Sequence, residues 1–219
     1  MSVTGTVSDT VAVTIADLGS GNLRSVAKAL EAVGADAVVT ADADAVARAQ
    51  RLVVPGQGAF GACAAGLDRG GGALRQAVRA HIDSGRPFFG ICIGMQLLFE
   101  ESEESPGTRG LGLLPGRVRR FADRPELKIP HMGWNETRRG PAAGVGAGRH
   151  LDDVADGAFF YFIHSYYPDP ARAEDVALRS EHGVAFCAAV ARDNVFACQF
   201  HPEKSQAAGL ALLRRFVQS

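Results

Sequence analysis

Apolar and polar positions follow two different periods along the first hundred residues. Val11-Ala-Val-Thr-Ile-Ala16 is an apolar run of strand length, and it empties into the turn formers Asp17-Leu-Gly-Ser-Gly-Asn22. Beyond it, apolar residues fall at Leu23, Val26, Ala27, Leu30 and Val33, the spacing of one helix face. The same unit then repeats. Residues 37–40 predict a second strand, 43–50 a short helix, and Arg51-Leu-Val-Val54 a third strand that stops at Pro55-Gly-Gln-Gly58. Helical patterns over 59–67 and 73–83 flank Gly70-Gly-Gly72. Strand, turn and helix in alternation predict an α/β fold built on a mostly parallel central sheet.

The next unit carries the chemistry. Phe88-Phe-Gly-Ile-Cys92 reads as a buried strand after the Gly85-Arg-Pro87 break, and Met95 to Glu100 as a helix without internal Gly or Pro. Between them, Gly90-Ile-Cys92-Ile-Gly94 is the cysteine counterpart of a nucleophile elbow. Glycines on both sides let the backbone pass under a tight turn that lifts the side chain out of the sheet. The free N–H groups of the new helix would favour a thiolate there. An isolated cysteine is usually a small core hydrophobe. At a strand-to-helix switch between two glycines, a nucleophile is the better reading.

From Ser105 the texture changes. Residues 113–121, 128–137, 158–162, 176–180, 184–191 and 195–200 predict strands joined by short Gly, Pro and Asp connections, hence partly antiparallel. Arg139 to Gly148 reads as the most flexible internal loop. Residues 205–217 close as an amphipathic helix. Nothing in composition splits the chain, so residues 11–219 are expected to form a single domain after a frayed extension, residues 1–10.

With 219 residues and 47% hydrophobic content, a full core is within reach. A formal charge of −1 gives no basic field for nucleic acid. No run spans a membrane, and the N-terminus lacks the form of a secretion signal, so a cytoplasmic location is expected. Cys63, Cys92, Cys187 and Cys198 show no zinc-like spacing, and no metal or cofactor is called for. Gly19-Ser-Gly21 starts like a dinucleotide fingerprint, but its third glycine position falls on Arg24, and that reading fails. Asn22 is instead placed to cap the helix that follows.

A cysteine nucleophile needs a base. His201 stands in Gln199-Phe-His-Pro-Glu203, directly after an apolar strand, where open α/β sheets gather their catalytic groups. Glu203, across the rigid Pro202, can take the second imidazole N–H and set the tautomer. Cys92, His201 and Glu203 thus form a candidate triad for acyl transfer. The Ile93 N–H is a natural oxyanion donor, and the Gly56-Gln57-Gly58 loop can supply another from Gln57 or Gly58.

The elbow Gly-Ile-Cys-Ile-Gly-Met-Gln96 and the turn Gln-Phe-His-Pro-Glu-Lys-Ser205 resemble those of class I (triad-type) glutamine amidotransferases, a family with a three-layer, flavodoxin-like fold. Further stretches resemble one branch, the glutaminase subunits of imidazole glycerol phosphate synthases in histidine biosynthesis. They are Gly19 to Val26, Pro55 to Phe60, Lys128-Ile-Pro-His-Met-Gly-Trp-Asn135, Phe160-Tyr-Phe-Ile-His-Ser-Tyr-Tyr167 and Gln206 to Leu210. The resemblance implies hydrolysis of glutamine to glutamate and ammonia. It implies a (β/α)8 cyclase partner in a heterodimer, which takes the ammonia through a channel and makes imidazole glycerol phosphate and aminoimidazole carboxamide ribotide. Carried over by motif, Gly56, Gln96 and the His164-Ser165-Tyr166 backbone would bind glutamine, while Trp134, Asn22 and Lys204 would meet the cyclase. For the chain's sole tryptophan, a core position is the alternative.

Two positions depart from the family pattern. Leu18 replaces the usual aromatic residue, a packing change, and Gln57 replaces an aliphatic residue in the oxyanion loop. Glycines on each side of Gln57 permit a peptide flip, so this loop is expected to be ill-formed until the cyclase and its ligand bind. The rival readings are a glutaminase serving another synthase, a non-catalytic module that kept the fold, and a cysteine hydrolase of another amide.

Overall fold

The computed structural model describes residues 10–219; the remainder of the expected N-terminal extension lies outside the described residues. In the first half, β1 (Val11–Ala16), α1 (Leu23–Glu31), β2 (Ala35–Thr40), α2 (Ala43–Arg48), β3 (Leu52–Gly56), α3 (Phe60–Asp83) and β4 (Phe88–Cys92) alternate as the hydrophobic periods predict. α3 is kinked where Arg69 to Gly72 leave helical geometry, at the glycine run that separates its two sequence patterns. The short α4 (Ile93–Gln96) follows the elbow.

In the second half come β5 (Glu101–Ser102), β6 (Gly116–Arg120), β7 (His131–Glu136), β8 (Arg138–Arg139), β9 (Phe159–His164), β10 (Tyr166–Pro170), β11 (Val176–Glu181), β12 (Ala185–Arg192) and β13 (Val195–Cys198). The closing helix is α5 (Gln206–Gln218). Eight strands make the central sheet in the order β2-β1-β3-β4-β13-β12-β11-β8. Pairs from β2 through to β13 are parallel and those beyond are antiparallel, in keeping with the short connections of the second half. α2 packs with α3 and α1 with α5, the two-faced cover that right-handed crossovers give an open sheet. The central strands β3, β4 and β13 are buried along their whole length, as continuous apolar runs covered on both faces should be.

Two smaller sheets flank this frame. β7 pairs antiparallel with β9, and β10 pairs with β6, which also takes β5. The strand β10 has no counterpart in the sequence expectations, because Pro168 and Pro170 read as breakers. It is tolerated there because β10 lies at an edge of its sheet, where a missing N–H costs little. Leu18 is buried in the core at 2% exposure, so its replacement of an aromatic residue is a matter of packing.

Candidate active site

β3, β4 and β13 end side by side. Gly56 is in register with Cys92, and Cys198 with Ile91. Three segments therefore leave the sheet at one rim: Gln57-Gly58, the turn at Cys92, and Gln199 to Glu203. The carboxyl ends of parallel strands are the usual place for a ligand in such sheets.

The elbow is strained, and its neighbours show why. Cys92 holds φ 55° and ψ −109°, a conformation that residues with side chains rarely adopt. A Cβ on Gly94 would stand 1.8 Å from the Val54 carbonyl oxygen, and one on Gly90 would stand 2.9 Å from that of Gly94. Only glycine fits at either place while β3 and β4 remain paired. The thiol is 4% exposed, at the floor of a cleft.

The helix after the elbow is shorter than the sequence predicts. α4 stops at Gln96, and the N–H groups of Leu98 and Phe99 bond back only three residues, to Met95 and Gln96. The carbonyls that would continue a helix are taken from outside: Leu97 accepts from Leu111, Leu98 from Leu113 and Leu114, and Phe99 from Gly112. Four residues align too few peptides for a strong macrodipole. Electrostatic support for a thiolate must come from elsewhere.

His201 is the candidate for that role. The His201 N–H donates to the Tyr161 carbonyl at 2.9 Å; Ser205 Oγ donates to the His201 carbonyl at 2.6 Å and accepts the Tyr161 N–H at 3.0 Å. This clamp to β9 fixes the imidazole. Nδ1 lies 2.9 Å from Glu203 Oε1, with the two side chains 4% and 1% exposed. Burial alone would disfavour the imidazolium. Hydrogen bonding to Cys92 and Glu203, and their charges, outweigh it and raise the His201 pKa to about 10. Nε2 makes no hydrogen bond of full geometry in the resting site. The Cys92 sulfur is its loose partner, and such contacts tighten in reacting complexes.

A cleft of about 300 Å³ opens over these groups, the lower end of small-ligand size. Gln57, Gly58, Ile93 and Gln96 line it together with the His164-Ser165-Tyr166 segment. Gly56 packs beneath Ile93, where an added Cβ would meet the Ile93 Cβ at 2.7 Å. Gln96 Nε2 donates to the Tyr166 carbonyl at 3.2 Å and to Gln199 Oε1 at 3.0 Å, which leaves Gln96 Oε1 buried without a partner. The His164 ring turns to the Tyr166 carbonyl, Nδ1 to oxygen 2.9 Å, and burial pushes its pKa down to about 3. It is a neutral structural group.

The residues expected at a partner surface lie around Tyr161 and the turn after His201. Trp134 is 46% exposed on β7, so the core alternative fails; its ring stands edge-on to Tyr161 at 6.2 Å. Lys204 Nζ lies 5.8 Å above the same Tyr161 ring. Asn22 caps α1 as expected, its Oδ1 accepting from the Ser25 N–H at 3.4 Å, and α1 lies against the Pro202–Lys204 turn.

A profile of the Glutamine amidotransferase class-I family matches residues 14–219. The chain belongs to the class I glutamine amidotransferases. Within that family, the imidazole glycerol phosphate synthase subunit HisH of Nitrosospira multiformis is 51% identical over 216 residues, covering 94% of this chain and 97% of its own. The subunit of the same name from Geobacter metallireducens is 48% identical over 214 residues, covering 94% and 98%. This amidotransferase therefore falls in the HisH branch. A solved glutamine amidotransferase superposes with a TM-score of 0.67 at 23% identity, covering 94% of this chain and 97% of that one, which speaks for the fold.

Several residues of the amidotransferase site escape sequence reasoning. Glu104 lines the cleft beside Gln57 and accepts the Phe60 N–H at 2.6 Å, a helix-start contact from 44 residues away that leaves no local signal. Pro130 and Ile163 line it as well. Gln199 is fully buried against Cys92 Sγ, Nε2 to sulfur 3.5 Å. Its signal was present: it stands two residues before His201, the spacing that puts side chains on one face of an extended segment. Among the described residues, no group of three His, Cys, Asp or Glu side chains could hold a metal ion, and no helix is long and apolar enough to cross a membrane.

Proposed function

We propose that this amidotransferase, as a single domain over residues 11–219, hydrolyses glutamine to glutamate and ammonia at Cys92. It delivers the ammonia to a (β/α)8 cyclase subunit that makes imidazole glycerol phosphate and aminoimidazole carboxamide ribotide. The observation that carries the reading is the convergence of a strained thiol, a buried imidazole–carboxylate pair and the Gln57, Gly58 and Ile93 residues on one cleft of about 300 Å³.

The chemistry follows from the geometry. The Cys92 thiolate, paired with the His201 imidazolium, attacks the side-chain carbonyl carbon of glutamine, and its π electrons move to oxygen. The Ile93 N–H and an N–H of Gln57 or Gly58 hold that oxyanion. As the tetrahedral adduct collapses, the C–N bond breaks and His201 gives its proton to the leaving nitrogen, which departs as ammonia. Neutral His201 then takes a proton from water; the hydroxide attacks the thioester, the C–S bond breaks, and glutamate leaves with the thiolate restored. Glu203 keeps Nδ1–H aligned throughout. The unpaired Gln96 Oε1 is an acceptor for the N–H donors of the substrate.

The outward face of the β7–β9 pair suits the cyclase. Met132, Trp134 and Phe159 are all exposed on it, an apolar patch of the kind that marks partner surfaces. Four unpaired cysteines agree with a cytoplasmic location. The test is ammonia release from glutamine, alone and with the cyclase and its nucleotide. Low turnover alone and a marked rise in the liganded complex are expected. Equal turnover in both states overturns the coupling, and no release in either overturns the glutaminase reading.

A further inference from the structure

Gln199 lies outside the triad, the oxyanion donors and the glutamine contacts, yet its side chain ends at the reacting atom. Its Nε2 is 3.5 Å from Cys92 Sγ, and its Oε1 is 3.0 Å from Gln96 Nε2. Both glutamines are buried, Gln199 at 0% and Gln96 at 1% exposure. The direction of each hydrogen bond in this chain is forced. A backbone carbonyl only accepts, so the Gln96 end facing Tyr166 oxygen must be the NH2 group. The second hydrogen of that NH2 goes to Gln199, whose receiving atom must be Oε1. The other end of Gln199 is then an NH2 group, and it donates to sulfur.

We infer that Gln199 is a further catalytic residue, one that holds the Cys92 sulfur as a hydrogen-bond acceptor in its thiolate form. This rests on the glutaminase reading above. With an N–H directed at the sulfur from the Gln199 side, the proton that the pair shares has only the side of His201 Nε2 to occupy, the triad nitrogen that lacks a full hydrogen bond. Transfer of that proton strengthens the Gln199 bond, since a donor to an anion in a dry site gains more than a donor to a neutral atom. The same bond helps twice in the reaction. It raises the fraction of thiolate ready to attack, and it steadies the thiolate again when the thioester C–S bond breaks. No atom or electron is transferred to Gln199. Meanwhile its oxygen commits the Gln96 NH2, which leaves Gln96 Oε1 toward the substrate.

The test compares Gln199→Met and Gln199→Glu with the unsubstituted chain, each in complex with the cyclase. Alkylation of Cys92 by iodoacetamide is followed by peptide mass spectrometry, alongside glutamine turnover. Met keeps the length and loses both polar ends. Glu keeps an acceptor for Gln96 but turns an oxygen on the sulfur. Cys63 and Cys198, both at 0% exposure, label only on unfolding, so they report folding in the same spectrum. Alkylation at neutral pH is expected to slow about 10- to 100-fold in Gln199→Met, the range for a lost hydrogen bond to a charged group, and its pH dependence to move to higher pH. Gln199→Glu should be slower still. A role confined to packing or to holding Gln96 predicts the reverse order and an unmoved pH dependence, and either result overturns the proposal. Where both variants unfold, the unsubstituted chain decides: the Gln199 side-chain amide NMR signals should move when Cys92 is alkylated, and unmoved signals overturn it. If the unsubstituted complex releases no ammonia, the glutaminase reading fails; if it does and both variants match it, only the Gln199 assignment fails.

Discussion

His131 Nδ1 lies 2.9 Å from His164 Nε2, and the other bonds of the two rings leave each a single tautomer. His164 Nδ1 faces the Tyr166 carbonyl at 2.9 Å, so it carries the hydrogen and Nε2 accepts. His131 must then donate from Nδ1, and its Nε2 accepts from Asn135 Nδ2 at 3.1 Å. The chain runs from Asn135, beside the exposed Trp134, to the carbonyl that also anchors Gln96 in the cleft. His182, itself bonded through Nε2 to the Lys128 carbonyl, stacks on His131 with centroids 4.2 Å apart.

This neutral pair predicts acid sensitivity. Burial lowers the His131 pKa to about 4, helped by His182, and lowers that of His164 to about 3; burial also takes His150 to about 4. Unfolded, each would bind a proton near pH 6.5. Between about pH 6.5 and 4 the unfolded chain therefore holds protons that the folded chain refuses, and stability falls as pH drops, by about 1.4 kcal/mol per pH unit for each such proton. His201 works in the opposite sense. Raised to about 10, it stabilises fully below pH 6.5, and its share is lost as pH rises toward 10. Urea midpoints from pH 9 to 4.5 should peak near neutrality. A midpoint unchanged from pH 6.5 to 4.5 would show that these rings are not held neutral.

The proposed triad divides into groups that can be removed separately. Cys92→Ala should abolish glutamine hydrolysis while leaving the fold intact. Glu203→Gln keeps the shape beside His201 but takes away the carboxylate 2.9 Å from Nδ1. Loss of an aligned acid–base is worth about 10²- to 10⁴-fold in kcat. Steady-state turnover in the cyclase complex measures both, and a Glu203→Gln enzyme within threefold of the unsubstituted one would remove Glu203 from the triad.

Packing at the elbow gives a prediction about stability. An alanine at position 94 would put its Cβ 1.8 Å from the Val54 carbonyl oxygen, a backbone atom of a central strand that cannot step aside. Gly94→Ala is expected to cost about 3 kcal/mol or more, or to leave the chain insoluble. A urea midpoint close to that of the unsubstituted chain would mean that the elbow has more room than these contacts allow.

Local patterns along the chain carried the α/β frame, the elbow and the break in α3, since each rests on residues adjacent in sequence. What escaped was settled at a distance. α4 ends early because the 111–114 segment takes the carbonyls of Leu97, Leu98 and Phe99, and nothing in Leu-Leu-Phe announces that competition. β10 was hidden by its two prolines, which only an edge strand tolerates. Gln199 and Glu104 join the site through side-chain contacts 107 and 44 residues away in sequence. Gln96 and the 164–166 segment were placed by family likeness rather than by periodicity. The pairing of β3, β4 and β13, which brings the site together, follows from a sheet order that no local pattern states.

Trp134 separates docking from chemistry. Its ring is half exposed, touches Tyr161 edge-on, and supports no part of the core, so Trp134→Ala should shift the melting temperature of the isolated chain little. At a centre of contact with the cyclase, loss of a tryptophan typically costs 2 kcal/mol or more, about a 30-fold weaker complex. Titration of the cyclase by calorimetry measures that loss, and an unchanged Kd would move the docking surface away from β7. Turnover at saturating cyclase adds a second reading. Asn135, the next residue, starts the hydrogen-bond chain to the Tyr166 carbonyl. Full activity at saturation would confine Trp134 to docking. A persistent deficit would show that its contact also sets the strand that carries this chain, and Asn135→Ala should then reproduce the deficit with the complex intact.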